Sequence, residues 1–406
     1  MDTSAQTRHD VVIVGGGLVG ASLAIALERI GVDVALVEAT PAGALPSVFD
    51  ERNLSFAEAT VNALAALGVL QQLQAPGAPI RRIHVSRRGD FGRVRLEAAD
   101  YGRTAFGQVV VARDFGQALE ARLSGLTHLA RYRPARFLGL GQGDAGSRML
   151  RIGDDSGERV LSARLLVAAD GTRSAVRAAL GIDAEEHDYG QALFVARVRA
   201  ERAPDGTAYE RFGDDGPTAL LPRADRHYGV IHGVAQADAD AVAALDDPRW
   251  LARLQQAFGW RVGAFLESGP RGRHAALRVR AMRTTAARAV LVGNAAQTLH
   301  PVGAQGFNLG LRDALTLAEL IEAGGDPGAD ALLAEYARRR QSDRERTLAF
   351  SDGLARLTAD PAPLLRPLRS AGLLALDRLP ALQALLVGGA MGYRGDVPQL
   401  CRGTQA

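Results

Sequence analysis

Cysteine is almost missing from this chain. Of 406 residues only Cys401 carries a thiol, so no disulfide can close within it. A reducing compartment is the natural reading. Aromatic residues make up 5%, and no basic patch interleaved with aromatics occurs, so a nucleic-acid partner is not expected. Neither sign of charge dominates: the net charge is +3 and the arginines are spread along the chain. No apolar run is long enough to cross a bilayer. The start, Met1 to Asp10, is polar and lacks the charged-then-apolar order of a secretory signal. The expectation is a chain that is soluble or peripheral to a membrane. Metal-ligand spacing is lacking too: His227 and His232 stand an odd number of positions apart on one apparent strand, so they face opposite sides. No metal is expected.

What the chain does have is glycine in patterned places, and enough length for two or three domains. Val11 to Val14 reads as a buried strand, Gly15-Gly16-Gly17-Leu18-Val19-Gly20 follows, and a helix runs through Ala21 to Glu28. Val32 to Val37 is a second strand, closed by Glu38. This is the dinucleotide fingerprint in its required context. Gly15 makes the tight turn, Gly17 admits the pyrophosphate, and Gly20 packs helix on strand. Glu38 stands where ribose hydroxyls would be bound. Arg52 reads as a cofactor contact or as a solvated surface arginine. Arg113, at the start of a helix reaching about Leu123, is a candidate phosphate or flavin contact.

Two further stretches join this one. Arg164 to Ala169 is a buried strand ending in Asp170-Gly171, an acid placed for ribityl or ribose hydroxyls or for capping the next helix. Gly293 to Gly310 is a long glycine-spaced loop between the strand Arg288–Val292 and an amphipathic helix from Leu311. Its glycines allow close approach to a flat ligand. Helix-start N–H groups there suit an anionic ring. No second GxGxxG follows a strand, so the three stretches are expected to hold one long cofactor, FAD, with NADH or NADPH binding transiently.

Between these segments the pattern changes. Ala192–Arg199, Thr207–Phe212, Thr218–Leu221 and Tyr228–Val234 read as consecutive antiparallel strands, the natural substrate floor. Ile83 to Leu96 reads as a half-exposed hairpin and Trp250 to Leu266 as a helix. The basic helix Ala331 to Arg344 reads as a solvated face with some ion pairs. The Leu-rich tail from Leu364 to Val387 reads as core cover, partner contact or membrane contact. The fold class is α/β (α+β overall). A discontinuous Rossmann-like FAD-binding domain spans 1–75, 97–182 and 272–345. An antiparallel-sheet substrate domain, inserted at 76–96 and 183–271, and a helical C-terminal region at 346–406 complete it.

Taken together, Gly15 to Gly20, Asp170-Gly171 and Gly293 to Gly310 resemble the para-hydroxybenzoate hydroxylase-like flavin monooxygenases, through about Asp343. Gly293-Asn294-Ala295-Ala296-Gln297-Thr298-Leu299-His300-Pro301 and Arg339 to Glu345 resemble most the ubiquinone-biosynthesis hydroxylases of the 2-octaprenyl-6-methoxyphenol hydroxylase (UbiH) type. Two departures stand out: Asn294 replaces the wider family's usual aspartate, and Ala304 replaces the first glycine of Gly-Gln-Gly. The resemblance implies an NAD(P)H-consuming aromatic-ring monooxygenase. It would hydroxylate a polyprenylated methoxyphenol with O2 through a flavin hydroperoxide. It also implies that Asn294, Gly303, Ala304, Gly306 and Asn308 touch the cofactor. Pro301, His300 and Gln305 would stand nearest the chemistry, His300 as an acid or base or as a hydrogen-bonded loop histidine. No phenol-activating base stands out among Tyr189, Tyr209, Arg211, His227 and Tyr228. A prenylated substrate implies cytoplasmic placement, peripheral at the inner face of the membrane or in a ubiquinone-biosynthesis complex; homo-oligomers are compatible. Alternatives are a hydroxylase of a soluble aromatic, a flavin reductase or prenyl-chain saturase, and a non-catalytic flavin-bound assembly subunit.

Overall fold

The computed structural model describes residues 7–144, 146–359 and 365–403. Residues 1–6 of the polar N-terminus, and Pro363 and Leu364 at the start of the Leu-rich tail, lie outside the described residues. The first layer is a sheet built on the strand Thr7–Val14. It pairs in parallel with Val34–Val37 on one side and Gly157–Ala168 on the other. Leu129–Tyr132 and Ala289–Leu291 extend the parallel order outward. Their inner stretches, Val11 to Val14, Val34 to Val37 and Leu165 to Ala168, are apolar because both faces are covered. Val11, Ile13, Leu165 and Val167 pack towards helix α1 (Leu18–Arg29), while Val12, Val14, Leu166 and Ala168 pack on the other side. Gly15, Glu38, Asp170 and Gly293 thereby gather at the carboxyl ends of neighbouring strands, where open α/β sheets take their ligands.

A second sheet of nine strands carries Ala184–Ala200, Tyr228–Ala235, Pro217–Pro222 and Thr207–Phe212 side by side in antiparallel order. The hairpin Arg82–Arg87 and Arg93–Glu97 joins its edge, and Arg82–Arg87 runs parallel to Thr207–Phe212, so this sheet is mixed. Helix α2 (Asp247–Phe258) covers one face with Trp250, Leu254 and Phe258. This helix is shorter than the expected run to Leu266. Gly259, at φ 86°, ends it, and Phe265–Ser268 is instead an edge strand. The other face looks towards the parallel sheet.

Helix α3 (Gly306–Glu322) follows the glycine-spaced loop and packs on α1; helix α4 (Asp330–Ala359) packs on α3. The expectation of a solvated face on α4 fails for Arg340 and Asp343, which are 1% and 5% exposed. Arg312 grips Asp343 with two bonds of 2.7 and 3.1 Å, and Arg340 reaches Asp313 at 2.8 Å and Asp343 at 2.7 Å. Burial alone would raise the Asp343 carboxyl, but Arg312 and Arg340 outweigh it and hold it below the usual range. The C-terminal helices α5 (Leu365–Arg378) and α6 (Pro380–Ala390) lie against the Arg93–Glu97 hairpin strand and a three-stranded sheet of Asn53–Ala57, Gly107–Val111 and Ala78–Pro79. Val387 and Met391 are buried there, so core cover is one real duty of the tail. Among the described residues no single helix is long and apolar enough to cross a membrane.

Removing one member of a buried, balanced ion pair strands its partners, at about 3–5 kcal/mol. Asp343→Ala is therefore expected to lower the unfolding free energy by about that amount, measured by urea denaturation. A loss under about 1 kcal/mol, the size of an exposed pair, would contradict a buried, interdependent cluster.

Candidate functional site

A cleft of about 1140 Å³ lies between the two sheets. That exceeds the ~300–1,000 Å³ of a pocket for one small ligand. At one end sits the fingerprint. A Cβ on Gly20 would fall 1.9 Å from the Gly15 carbonyl oxygen, and one on Gly15 (φ 107°) 2.5 Å from that of Ala169. Those two glycines serve the turn and the helix–strand contact. Gly17 has only Val48 Cγ1 near, at 3.6 Å, so its bare Cα is open to the cleft. Helix α1 starts there with no capping side chain and no acid in its first turn. Its first N–H groups are left for an anion, as a diphosphate requires. Glu38 accepts the N–H groups of Gly16 and Thr40, both at 2.7 Å, which aims the carboxylate while leaving lone pairs for hydroxyls.

Asp170 faces both the cleft and the next helix. It lines the cleft with Gly171, and it accepts from Ser174 Oγ and the Val176 N–H at the start of the next helix. Arg177, buried behind it, donates to the carbonyls of Ala295 and Thr172 and so ties this strand end to the glycine-spaced loop. Arg52 lines the cleft, held by Asp50 Oδ1 at 2.8 Å and the Val48 carbonyl at 3.1 Å. Arg113 does not line it. Its guanidinium pairs with Glu51 and Asp114 at a half-exposed helix start.

Asn294 is exposed on the cleft wall, with no side-chain hydrogen bond among the described residues, so its amide is available to a ligand. Pro301, Ala304 and Gly306 line the same wall. Ala304 holds φ 50°, a left-handed conformation that costs a non-glycine residue about 1 kcal/mol or more, next to Gly303 at φ 73°. Gly303 and Gln305 lie off the wall; the Gln305 amide bonds back to the Gly303 carbonyl at 3.0 Å. Asn308 is also off it. Its amide is consumed by Ser55, Ala57, Thr60 and Ala304, so it pins the loop to the strand Asn53–Ala57. Helix α3, like α1, opens with no capping side chain and no acid in its first turn. Gly293 and Gly310 are explained by packing: a Cβ on either would meet Val19 of α1 within 3 Å. Two uncapped helix starts, an aimed carboxylate and a free amide along one cleft fit a flavin dinucleotide.

His300 is 2% exposed. Its Nδ1 accepts the Val302 N–H at 3.3 Å, which leaves Nε2 to donate to Gln191 Oε1 at 3.2 Å. Tyr189 packs edge-on against the ring at 4.8 Å and donates to Asp352 on α4. Burial lowers the His300 pKa to about 4, against a weaker opposing pull from Asp352. A neutral ring with both nitrogens engaged clamps the loop over the second sheet; His300 is a positioning residue.

Leu193, Val195 and Ile231 form an apolar floor. The pleat removes most sequence candidates from it. Tyr209 packs on Phe258 of α2, Arg211 bonds the Ala257 carbonyl at 3.2 Å, and Tyr228 is buried in the same α2 cluster. His227 bonds the Asp225 carbonyl at the strand end. Sequence reasoning missed His274, which lines the cleft with its buried Nε2 unbonded, 3.8 Å from Asp50 Oδ2. Burial, then Arg52, lowers its pKa. The only signal for it was its place on a strand rich in alternating residues.

The comparisons agree with this geometry. A family model described as FAD binding domain matches residues 8–351. Ubiquinone hydroxylase UbiL of Rhodospirillum rubrum is 35% identical over 98% of this chain and 94% of its own. The 3-demethoxyubiquinol 3-hydroxylase of Escherichia coli is 28% identical over 94% and 98%. Among solved structures, p-nitrophenol 4-monooxygenase PnpA of Pseudomonas putida superposes with a TM-score of 0.78 at 18% identity, over 96% of this chain and 99% of that one, which establishes the shared fold.

Because the folded pKa of His300 lies below the ~6.5 of a free histidine, the unfolded state binds the extra proton first as pH falls. Its contribution to stability is full above about 6.5 and is lost on the way down to about 4. His300→Gln is expected to flatten the fall of unfolding free energy between those pH values, measured by denaturation at several pH values. An unchanged slope would contradict the neutral, buried assignment.

Proposed function

The chain belongs to the FAD-binding family of flavin-dependent monooxygenases, and from that premise we propose that it hydroxylates the ring of a polyprenylated methoxyphenol in ubiquinone biosynthesis. NADH or NADPH would serve as reductant and O2 as the oxygen source. The observation that carries this reading is the resemblance to ubiquinone hydroxylases across nearly the whole chain, joined to a cleft whose floor is aliphatic. FAD, when bound, supplies the redox and oxygen chemistry. The chain supplies binding, orientation and exclusion of water. The N–H groups opening α1 favour the diphosphate, and those opening α3 favour negative charge on the ring. Glu38, Asp170 and Asn294 orient the hydroxyl-bearing parts. Leu193, Val195 and Ile231 keep the reacting face dry. His300 holds Pro301 and Ala304 at a fixed height above that floor. A polyprenyl chain is too apolar to diffuse freely, so we place the protein at the inner face of the membrane. Exposed Leu368, Leu374 and Leu379 with Arg366 and Arg378 beside them suit an anionic lipid surface.

Purified holoenzyme should oxidise NADH or NADPH several-fold faster when a short-chain prenyl methoxyphenol is added, and mass spectrometry should find a product one oxygen heavier. Bound FAD with no stimulation by any phenol would overturn the substrate class. For the membrane, the wild type should sediment with anionic phospholipid vesicles, and the pair Leu368→Glu and Leu374→Glu should remain in the supernatant. A wild type that stays free of vesicles would sink the docking surface.

A further inference from the structure

The apolar floor of the cleft carries a polar group whose hydrogen bonding is unfinished. His274 is directly opposite Leu193 where the strands Ala184–Ala200 and Gly272–Ala281 pair, and Gly272 is opposite Val195. Residues directly opposite in a sheet share a face. His274 therefore stands beside Leu193 and Val195, and it lines the cleft with them. Gly272 lets the ring lie close to the floor: a Cβ there would stand 3.0 Å from Val195 Cγ2 and 3.4 Å from His274 Nε2. The chain neighbour Arg273 pairs with Asp240 instead.

The two ring nitrogens differ. Nε2 is shut off from solvent and has no hydrogen bond among the described residues. Asp50 Oδ2 lies 3.8 Å from it. Asp50 spends its other oxygen, Oδ1, on the backbone N–H and the guanidinium of Arg52, at 2.9 and 2.8 Å. Oδ2 is thus the oxygen left for the ring. The 3.8 Å gap is wider than a hydrogen bond, as is common before a substrate closes a catalytic site. Nδ1 is not shut off, has no hydrogen bond among the described residues, and belongs to a side chain that is 34% exposed on the cleft. A neutral imidazole carries one proton. A carboxylate beside Nε2 keeps the proton there, which leaves the Nδ1 lone pair open to the cleft. Asp50 and Arg52 are the charged groups that face this ring. Burial first, then Arg52, keep it neutral by lowering its pKa, against a weaker pull from Asp50. His300, also on the cleft, has both nitrogens engaged.

We infer that His274 is the catalytic base that accepts the hydroxyl proton of a phenol bound in the cleft, with Asp50 as its positioning residue. The inference rests on the proposed function and names the group that reading leaves open. The phenol O–H bond breaks, its electron pair stays on the ring oxygen, and the proton moves to Nδ1, from which water later removes it. The imidazolium so formed lies between the phenolate and the Asp50 carboxylate, and both stabilise it. The phenolate is the more electron-rich ring, so electrophilic hydroxylation of it is faster.

The test uses the FAD-loaded enzyme and two probes: a short-chain prenyl methoxyphenol, and a multiply fluorinated analogue already ionised at assay pH. His274→Gln should bind FAD and unfold thermally like the wild type. It should hydroxylate the ordinary phenol about 10²-fold more slowly or worse, the usual size of a lost general base. On the ionised analogue it should stay within about tenfold of the wild type, since no base is needed there. His274→Ala should show the same split, and imidazole added to the buffer should restore part of its rate on the ordinary phenol only. Wild-type kcat/KM on the ordinary phenol should fall as the pH drops below the ~6.5 of a free histidine, because the protonated ring accepts nothing. The Gln variant should lack that limb. Variants that keep their rate on the ordinary phenol, lose both probes equally, or lose bound FAD overturn the role of His274 while the proposed function stands. A wild type that hydroxylates no phenol overturns the proposed function and this inference together.

Discussion

Four charges buried behind the glycine-spaced loop hold this structure in register. Arg312 and Asp313 are adjacent on α3, and Arg340 and Asp343 lie one turn apart on α4. Two positive and two negative groups cancel, so desolvation is offset only when all four are present. The network then reaches outward. Asp313 accepts from Gln297 at 2.6 Å and faces the Gly293 N–H at 3.4 Å, and Arg344 holds the Gln297 oxygen at 2.8 Å. The loop that lines the cleft is thus suspended from an ion cluster set back from the cleft wall. Its net contribution to stability is modest, because replacing the whole cluster with packed apolar groups is often neutral. Its specificity is high, because any other register between α3 and α4 would bury unpaired charge.

From that anchor the cleft acquires its gradient. One end is backbone: two helix starts with unfilled N–H groups, and glycines whose missing side chains admit a neighbouring chain rather than empty space. The dinucleotide end asks for little side-chain chemistry, so it is built from close approach and aimed dipoles. The other end is a pleated apolar floor. Between them the loop Thr298–Ala304 is clamped by a histidine that burial keeps neutral, packed on a tyrosine whose hydroxyl is tied to α4. A charged ring there would need a counter-ion; a neutral one needs only its two hydrogen bonds, and it has them.

The C-terminal helices complete the enclosure and belong to two environments at once. Val387 and Met391 pack under the three-stranded sheet, and Arg369 reaches the buried Asp90 of the hairpin. The opposite side of the same segment leaves leucines in solvent. One segment thus covers the hairpin strand on one side and presents aliphatic surface on the other.

By itself the sequence determined what depends on neighbours in the chain. Strand, glycine turn, helix and terminal acid follow one another within about 30 residues at Val11 to Glu38, and their backbone demands are local, so the turn and the places of Gly15, Gly17, Gly20 and Glu38 in it were legible. So were Asp170 at its strand end and most strands of the second sheet, whose alternation is a period of two. Tertiary structure alone decided which face of each element is inward. Arg339 and Arg340 are the same residue side by side; one pairs near the surface with Asp396 and Glu319, the other is sealed against Asp313. Tyr209, Glu210 and Arg211 alternate on one strand, and only the packing of α2 on one side tells that Tyr209 and Arg211 face it. Arg113 turns to Glu51 and Asp114 for the same reason, and the Asn308 amide is spent on a strand some 250 positions away. Periodicity states that a strand has two faces; the physical choice between them is made by what the rest of the chain buries against each.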